Sequence, residues 1–301
     1  MGCRHRIGHW ALLLILVHSS CSLRSRAIDT LADVLAESEK SYLSDDDPEL
    51  IAAALPFNLK TIETLLESEP NHRGLLLSAT TAFTLYAYGF VEPEAQLAEE
   101  EDFRHAETIW LRAANLYRRA FQYGFRGLEV HHPGFGENLR REPKTAVSTL
   151  KKEDVPLAVW TATALGSAIG ILQDDPEMTA DIMAVGTLLE RALELDEGFE
   201  DGTIHELLVN YEAQRVGGSM EKAREYYRRA SELSKGRRCS TWLTWAENIS
   251  ISEQNRQEFE EMMERILAFD VSSSPEYRLM NLLTQRRARS LQERIDELFL
   301  E

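Results

Sequence analysis

The chain has 301 residues, with 33 Lys and Arg against 50 Asp and Glu, a formal charge of −17 at pH 7 and 44% apolar residues. A surface this acidic repels nucleic-acid phosphates and anionic lipid headgroups, which excludes a DNA- or RNA-binding role. The apolar content excludes a disordered chain and supplies a substantial core.

Met1 to His9 holds Arg4 and Arg6 and no acid, Trp10 to Val17 is an apolar run, and Ser19-Ser20-Cys21 follows. This order predicts a secretory signal peptide over 1–20; its apolar run is well short of the ~20 residues that span a bilayer. Cys21 directly after small residues predicts the lipoprotein type, in which the thiol receives diacylglycerol before cleavage and the freed amine a third chain, a stable anchor. His18 stands where such signals usually have an aliphatic residue, and ordinary secretion with an incidental cysteine is the alternative. Ser22 is not the Asp that favours inner-membrane retention in enteric bacteria, so the expected address is the outer membrane, facing the periplasm. Removal of 1–20 takes two basic residues and no acid, leaving −19. Cys3 leaves with the signal and Cys21 is committed to lipid, so Cys239 has no intramolecular partner and the fold needs no disulfide.

Residues 21–26 read as a short tether and 27–301 as one helical domain, with no convincing strand alternation. Asp45-Asp46-Asp47-Pro48-Glu49, Asp174-Asp175-Pro176-Glu177 and Ser274-Pro275-Glu276 are helix starts: acids favour the positive end and proline suits the first turn. Stops fall at Pro70-Asn71, Gly124, Gly198, Gly217-Gly218 and Gly236. The resulting helices are 27–43, 49–69, 72–92, 102–123, 155–173, 181–196, 202–214, 219–234, 240–252, 254–269 and 275–299. Gly124 to Asp154, with His131-His132-Pro133-Gly134-Phe135-Gly136, reads as a long structured loop with one or two short helices. Val155 to Leu172 is 18 residues without a charge, but its proline, hydroxyls and two glycines mark a buried central helix rather than a membrane span. Gly166 and Gly170, one turn apart, are expected to let a neighbour come close. His72–Val91 is similar, with Arg73 its one charge.

Four segments share an ending: Arg119-Ala120-Phe121, Arg191-Ala192-Leu193-Glu194-Leu195-Asp196, Arg229-Ala230-Ser231-Glu232-Leu233-Ser234 and Arg265-Ile266-Leu267-Ala268-Phe269-Asp270. Their arginines are 72, 38 and 36 residues apart, close to the 34-residue tetratricopeptide period once the first gap is taken as two units. The second helix of such a repeat presents small, aromatic and small residues. Ala113/Tyr117/Ala120 and Ala223/Tyr227/Ala230 match well, Val185/Leu189/Ala192 fairly and Phe259/Met263/Ile266 poorly. The expected fold is therefore all-α, a tetratricopeptide-like superhelix of stacked antiparallel hairpins; an ordinary helical bundle with chance endings is the alternative.

Enzyme motifs fail. His205-Glu206-Leu207-Leu208-Val209 begins like a zinc-protease helix, but Val209 stands where the second histidine belongs. Gly134-Phe135-Gly136 lacks a third glycine and a preceding strand, Gly166-Ser167-Ala168 is no nucleophile turn, and no phosphate loop exists. No metal, cofactor or catalytic residue is expected.

Several strings in order resemble one family, the T component associated with tripartite ATP-independent periplasmic (TRAP) transporters. They are Asp45-Asp46-Asp47-Pro48-Glu49-Leu50 leading to Leu55-Pro56, Tyr86-Ala87-Tyr88-Gly89-Phe90-Val91, and Arg126-Gly127-Leu128-Glu129 before His132-Pro133-Gly134-Phe135. Lys152-Glu153-Asp154-Val155-Pro156 with Trp160, the Arg191–Asp196 ending, and Asn281-Leu282-Leu283 before Gln285-Arg286-Arg287-Ala288 complete the set. The resemblance implies a periplasmic lipoprotein of tetratricopeptide-like hairpins that forms homotrimers. It also implies pairing with the transporter's substrate-binding subunit and an interior channel or cleft for small, including hydrophobic, ligands. A generic envelope scaffold lipoprotein, helping to assemble an outer-membrane or cell-wall complex, is the competing reading.

In a tetratricopeptide stack the first helix of each pair lines the concave side. Tyr86, Tyr88 and Trp160 on two apolar first helices, with His205, Glu206 and Tyr211 on the helix at 202–214, are therefore the expected ligand or partner surface. Such a mix suits small-molecule pockets. Core residues with satisfied hydrogen bonds are the alternative for each.

Overall fold

The computed structural model describes residues 40–99 and 101–300, together with residues 30, 31, 34 and 35. The expected signal peptide, Cys21 and the tether lie outside the described residues, as does part of the helix expected over 27–43. Among the described residues all regular structure is helical, with no strand.

Local chemistry sets the helix starts. Helix α1 (Pro48–Ser68) begins where Asp47 accepts from the Leu50 N–H at 2.9 Å, with Pro48 in the first turn. Helix α2 runs from Arg73 to Glu99, α3 spans Phe103–Glu129, and two short helices, α4 (Phe135–Arg141) and α5 (Pro143–Ser148), lead to α6 (Val155–Ile171). After the single turn α7 (Pro176–Thr179) come α8 (Ile182–Leu195), α9 (Thr203–Gln214) and α10 (Met220–Ser234), whose Ser219 cap accepts from the Lys222 N–H. Helix α11 (Ser240–Trp245) continues through a wider turn at Ala246–Ser250, and α12 (Arg256–Leu267) starts at Asn255, which accepts from the Glu258 N–H. Helix α13 (Arg278–Glu293) and the last turn α14 (Ile295–Leu298) end the chain.

Three-to-five-residue connections join α2 to α3, α9 to α10 and α11 to α12, and connections that short force antiparallel neighbours. Each of these helices packs against the next along the chain, α6 joins α3 to α8, and α13 returns to touch α1. The return contact is apolar at its centre, with Ile51, Leu55, Leu279 and Leu283 buried together. It is charged at its edge, where Arg286 pairs with Glu49. Gly89 on α2 admits it, because a Cβ there would lie 2.8 Å from Leu283 Cδ1. Eleven of the twelve residues in the four small-aromatic-small trios are buried; Tyr227, the remaining one, is half-buried.

Two boundaries and one packing contact differ from expectation. Helix α2 passes beyond position 92 because residues 87–91 form a π-turn: the Glu92 N–H reaches Ala87 O, five residues back. The wider register carries the helix into Pro93, which has no N–H to give. Gly124 does not stop α3; it lies mid-helix, where a Cβ would be 2.0 Å from Thr161 Oγ1 on α6. Gly127 does the same against Leu157 at 2.7 Å. The expected close approach at Gly166 and Gly170 is absent: a Cβ at Gly170 meets nothing within 4 Å, and one at Gly166 only Val185 at 3.5 Å. The gap for packing is therefore on α3, and α6 supplies the side chains that fill it.

Among the described residues, the two helices apolar enough to cross a membrane, Arg73–Glu99 and Lys152–Ile171, have 61% of their apolar windows buried within the protein. They are the centre of the bundle. The segment from His131 to Asp154 is pinned by Asp154, whose carboxylate takes Arg73 and, at 3.0 Å, His132 Nε2. His132 is thus tied to Asp154, with its ring beside those of His131 and Phe135.

Candidate functional site

The buried helix α6 has one face that is not closed. Trp160, Thr163, Gly166 and Ser167 are half-buried and Gly170 is exposed, while the residues between them are buried. Spacings of three and four put these positions on a single stripe. The same stripe on α2 holds Tyr88 and Glu92, and the polar groups facing it come from α3, α9, α11 and α13.

Arg287 on α13 is the centre of this interior face. Its Nε donates to Glu247 Oε1 at 2.6 Å, Nη1 reaches Glu92 Oε2 at 3.5 Å, and its guanidinium lies 5.7 Å from the centre of the Tyr88 ring. Glu92 also accepts from the Tyr117 hydroxyl at 2.5 Å. Arg287 keeps 24% of its side-chain surface open and Glu92 12%, while Tyr117 is fully buried. Burial pushes Tyr88 up to about 12 and Tyr117 well above its usual range. It also raises Glu92, against the pull of Arg287 and Tyr117. Burial works against the charge of Arg287, but Glu247, Tyr88 and Glu92 outweigh it and hold the guanidinium protonated.

Tyr88 and Glu247 each sit in a π-turn, at Ala87–Val91 and Ala246–Ser250. These two turns give the chain its grip on Arg287: Glu92 directly follows the first and Glu247 lies within the second. Single π-turns inside α-helices recur at functional sites.

A second knot adjoins the first. Arg238 donates to Glu206 Oε2 at 2.6 Å, to Thr203 Oγ1 and to the Glu200 carbonyl, and Glu206 also accepts from Ser240 and Thr241. The turn into α9 is left-handed at three successive residues, Glu200 (φ 43°), Asp201 (φ 54°) and Gly202 (φ 95°). Non-glycine residues there cost about 1–3 kcal/mol each and persist only where surroundings impose them. Arg238 holds the first, and Tyr277 and Arg237 hold Asp201 at 2.6 Å each. The Glu200 side chain at this turn is exposed.

Of the residues expected from sequence, Tyr88, Trp160 and Glu206 come together on this face. Tyr86 points elsewhere: its ring packs on Phe90 and its hydroxyl accepts from Arg112. His205 is buried against Tyr226, with Nε2 3.2 Å from Glu197 Oε1, and burial lowers its pKa although Glu197 opposes. Tyr211 is core, filling the space left by Gly186, where a Cβ would lie 2.3 Å from its ring. Sequence reasoning missed Glu92, Tyr117, Glu247 and Arg287. The one available signal was position: Arg287 stands one turn from the buried Leu283 and Thr284 and next to the buried Ala288.

Among the described residues no three His, Cys, Asp or Glu side chains converge as a metal site. Cys239 is buried and its thiol is pushed up to about 12 by burial, so it is no thiolate ligand or nucleophile.

Trp160 is only half-buried, so Trp160→Ala should cost clearly less than the ~3–5 kcal/mol of a fully packed tryptophan. Thermal unfolding checks this, and a loss in the full range would make Trp160 an ordinary core residue.

The model of one family, the TRAP transporter T-component, matches residues 44–299. A protein of Treponema pallidum (strain Nichols), described only as uncharacterized, is 29% identical over 317 positions, covering 98% of each chain. The match over nearly the whole chain settles the family: this protein belongs to the TRAP transporter T-component family, whose role is accessory to transport in the bacterial envelope.

Proposed function

We propose that this chain is a periplasm-facing lipoprotein, anchored through Cys21 to the outer membrane, that serves a TRAP transporter by pairing with its substrate-binding subunit. Its four helix pairs, α2/α3, α6/α8, α9/α10 and α11/α12, stack as a tetratricopeptide-like superhelix and hold a small ligand in the interior. The chain works as a homotrimer, as the family resemblance implies. The observation that carries the ligand reading is the polar ring itself. It takes Tyr88, Trp160, Glu206 and Glu247 from the first helix of each of the four pairs and Arg287 from the closing helix. A protein that only bridges partners has no need to keep ionised groups so largely buried, where desolvation makes them costly.

Pairing is tested by titrating the full-length protein, in detergent, with the substrate-binding subunit of a TRAP transporter from the same organism. Binding at micromolar concentration is expected, the range in which weak transient pairs are still seen. No binding to any such subunit would instead favour the generic envelope scaffold.

A further inference from the structure

A cleft lies where α1, α2 and α13 meet the segment before α1. Its walls are apolar, from Leu55 and Ile62 on α1, Leu85 on α2 and Met280 and Leu283 on α13, with Tyr42 along one side. No charged side chain among the described residues lines it, but three polar ones do: Asn58 on α1, with Ser78 and Thr81 on α2. Asn58 stands on the buried stripe Ile51-Leu55-Asn58-Ile62, where the pattern calls for another apolar residue. It is 9% exposed, Ser78 8% and Thr81 2%. A hydroxyl inside a helix can donate back one turn, as Thr80 and Thr84 do on the far side of α2, each at 2.7 Å. The side chains of Asn58, Ser78 and Thr81 make no hydrogen bond among the described residues. None of the three has a fully sealed polar atom without a partner, so these groups open onto the cleft. Buried polar groups left unpaired are costly and rare, and three of them facing one space point to an occupant.

An amide and two hydroxyls both donate and accept, and they offer no counter-charge to an ion, which would lose its hydration on entering. We propose that this cleft binds a short, uncharged aliphatic molecule with a single polar head, a carboxamide or an alcohol. The head bonds Asn58 and Thr81 between α1 and α2, and the carbon chain lies on Leu55, Ile62 and Leu283. The space is narrow, with room for a few waters or a short unbranched chain, which excludes fused rings. Water is the competing occupant, since the same three groups would hold it. Neither Arg287 nor its partners Glu92 and Glu247 line the cleft, so the inference stands apart from the polar ring.

The test uses three probes of one shape, pentanamide, pentanoate and pentylammonium, on the full-length protein held in digitonin, whose fused rings the cleft excludes. Ligand-observed NMR titration reads affinity. Pentanamide should bind saturably and about tenfold tighter than either ion. Asn58→Leu keeps the size of the side chain and removes its amide. It should cost pentanamide about tenfold and leave the thermal midpoint at or above wild type, because an unpaired polar group has gone from an apolar wall. Should Asn58→Leu fail to fold, Thr81→Val removes one hydroxyl at constant shape and should weaken pentanamide alone. Ala82→Met, which fills the cleft from α2, should abolish binding of pentanamide. No saturable binding of pentanamide overturns the site and leaves water as the occupant. Equal binding of the three probes overturns the uncharged class. Pentanamide binding that survives both a folded Asn58→Leu and Ala82→Met places the ligand elsewhere and overturns this cleft, while the polar ring and the pairing titration stand or fall on their own.

Discussion

Replacing Arg238 by alanine should lower the thermal midpoint by roughly 10 °C, the largest effect of any single polar substitution in this protein. Arg238 and Glu206 are both nearly closed off, with 9% and 8% of their side-chain surface exposed. Removal of one partner leaves the other as an uncompensated buried charge, which costs about 3–5 kcal/mol; in a domain of this size that is several degrees per kcal/mol. A second loss is built in, because Arg238 also holds the Glu200 carbonyl in the left-handed turn. Arg238→Lys keeps the charge but not the fork that reaches Glu206, Thr203 and the carbonyl together, and should fall between wild type and alanine. Removing both charges in Arg238→Met/Glu206→Leu should recover a large part of the midpoint, since two apolar groups leave no charge unpaired. A midpoint within about 1 °C of wild type for Arg238→Ala would show that water replaces the guanidinium, and that the knot does not hold α9 to α11.

This knot also marks the limit of what the residues alone convey. The buried helix faces are legible in the side chains: Ala113, Tyr117 and Ala120 are small, aromatic and small, and all are buried. Even the poor match Phe259/Met263/Ile266 is fully buried, so spacing along a helix marks its buried face whatever the residue type. Of the aromatic groups expected on first helices, Tyr88 and Trp160 are half-buried while Tyr86 packs on Phe90 and Tyr211 is buried, since an aromatic ring gives no sign of which side of its helix faces the neighbour. The charged half of the interior left no trace beyond the helical position of Arg287. Glu92, Glu247 and Arg287 lie on three distant segments, and in sequence each reads as a solvated helix surface. Only the return of α13 onto α1 turns Arg287 inward, and that contact is between ends of the chain. The π-turns were equally silent, because nothing in Ala87-Tyr88-Gly89-Phe90-Val91 distinguishes a bond five residues back from one four back. Glu200-Asp201 lies just before the helix expected from 202, and its left-handed path is held by Arg238, Arg237 and Tyr277 arriving from later segments.

The glycines offer a sharper trial of the packing, because one substitution at two sites should act in opposite directions. At Gly170 an added Cβ meets nothing within 4 Å. Gly170→Ala should therefore be neutral or stabilise by up to about 1 kcal/mol, the helix preference of alanine over glycine. At Gly124 the same methyl would stand 2.0 Å from Thr161 Oγ1 and 3.0 Å from Thr161 Cβ. It must push α3 away from α6, the helix at the centre of the bundle. Overpacking of this kind costs about 1–3 kcal/mol or more, outweighing the same helix preference. Thr161 has a local partner, its hydroxyl donating to Leu157 O at 2.5 Å. Thr161→Ala therefore removes the obstructing oxygen and methyl without orphaning a buried donor. The double variant Gly124→Ala/Thr161→Ala should be less destabilised than the sum of the two single changes, with a coupling of about 1 kcal/mol or more. Thermal or urea unfolding of the four proteins measures it. Additivity would mean that α3 and α6 do not meet at this point, and the reading of Gly124 as the gap that lets the two central helices close would fall with it.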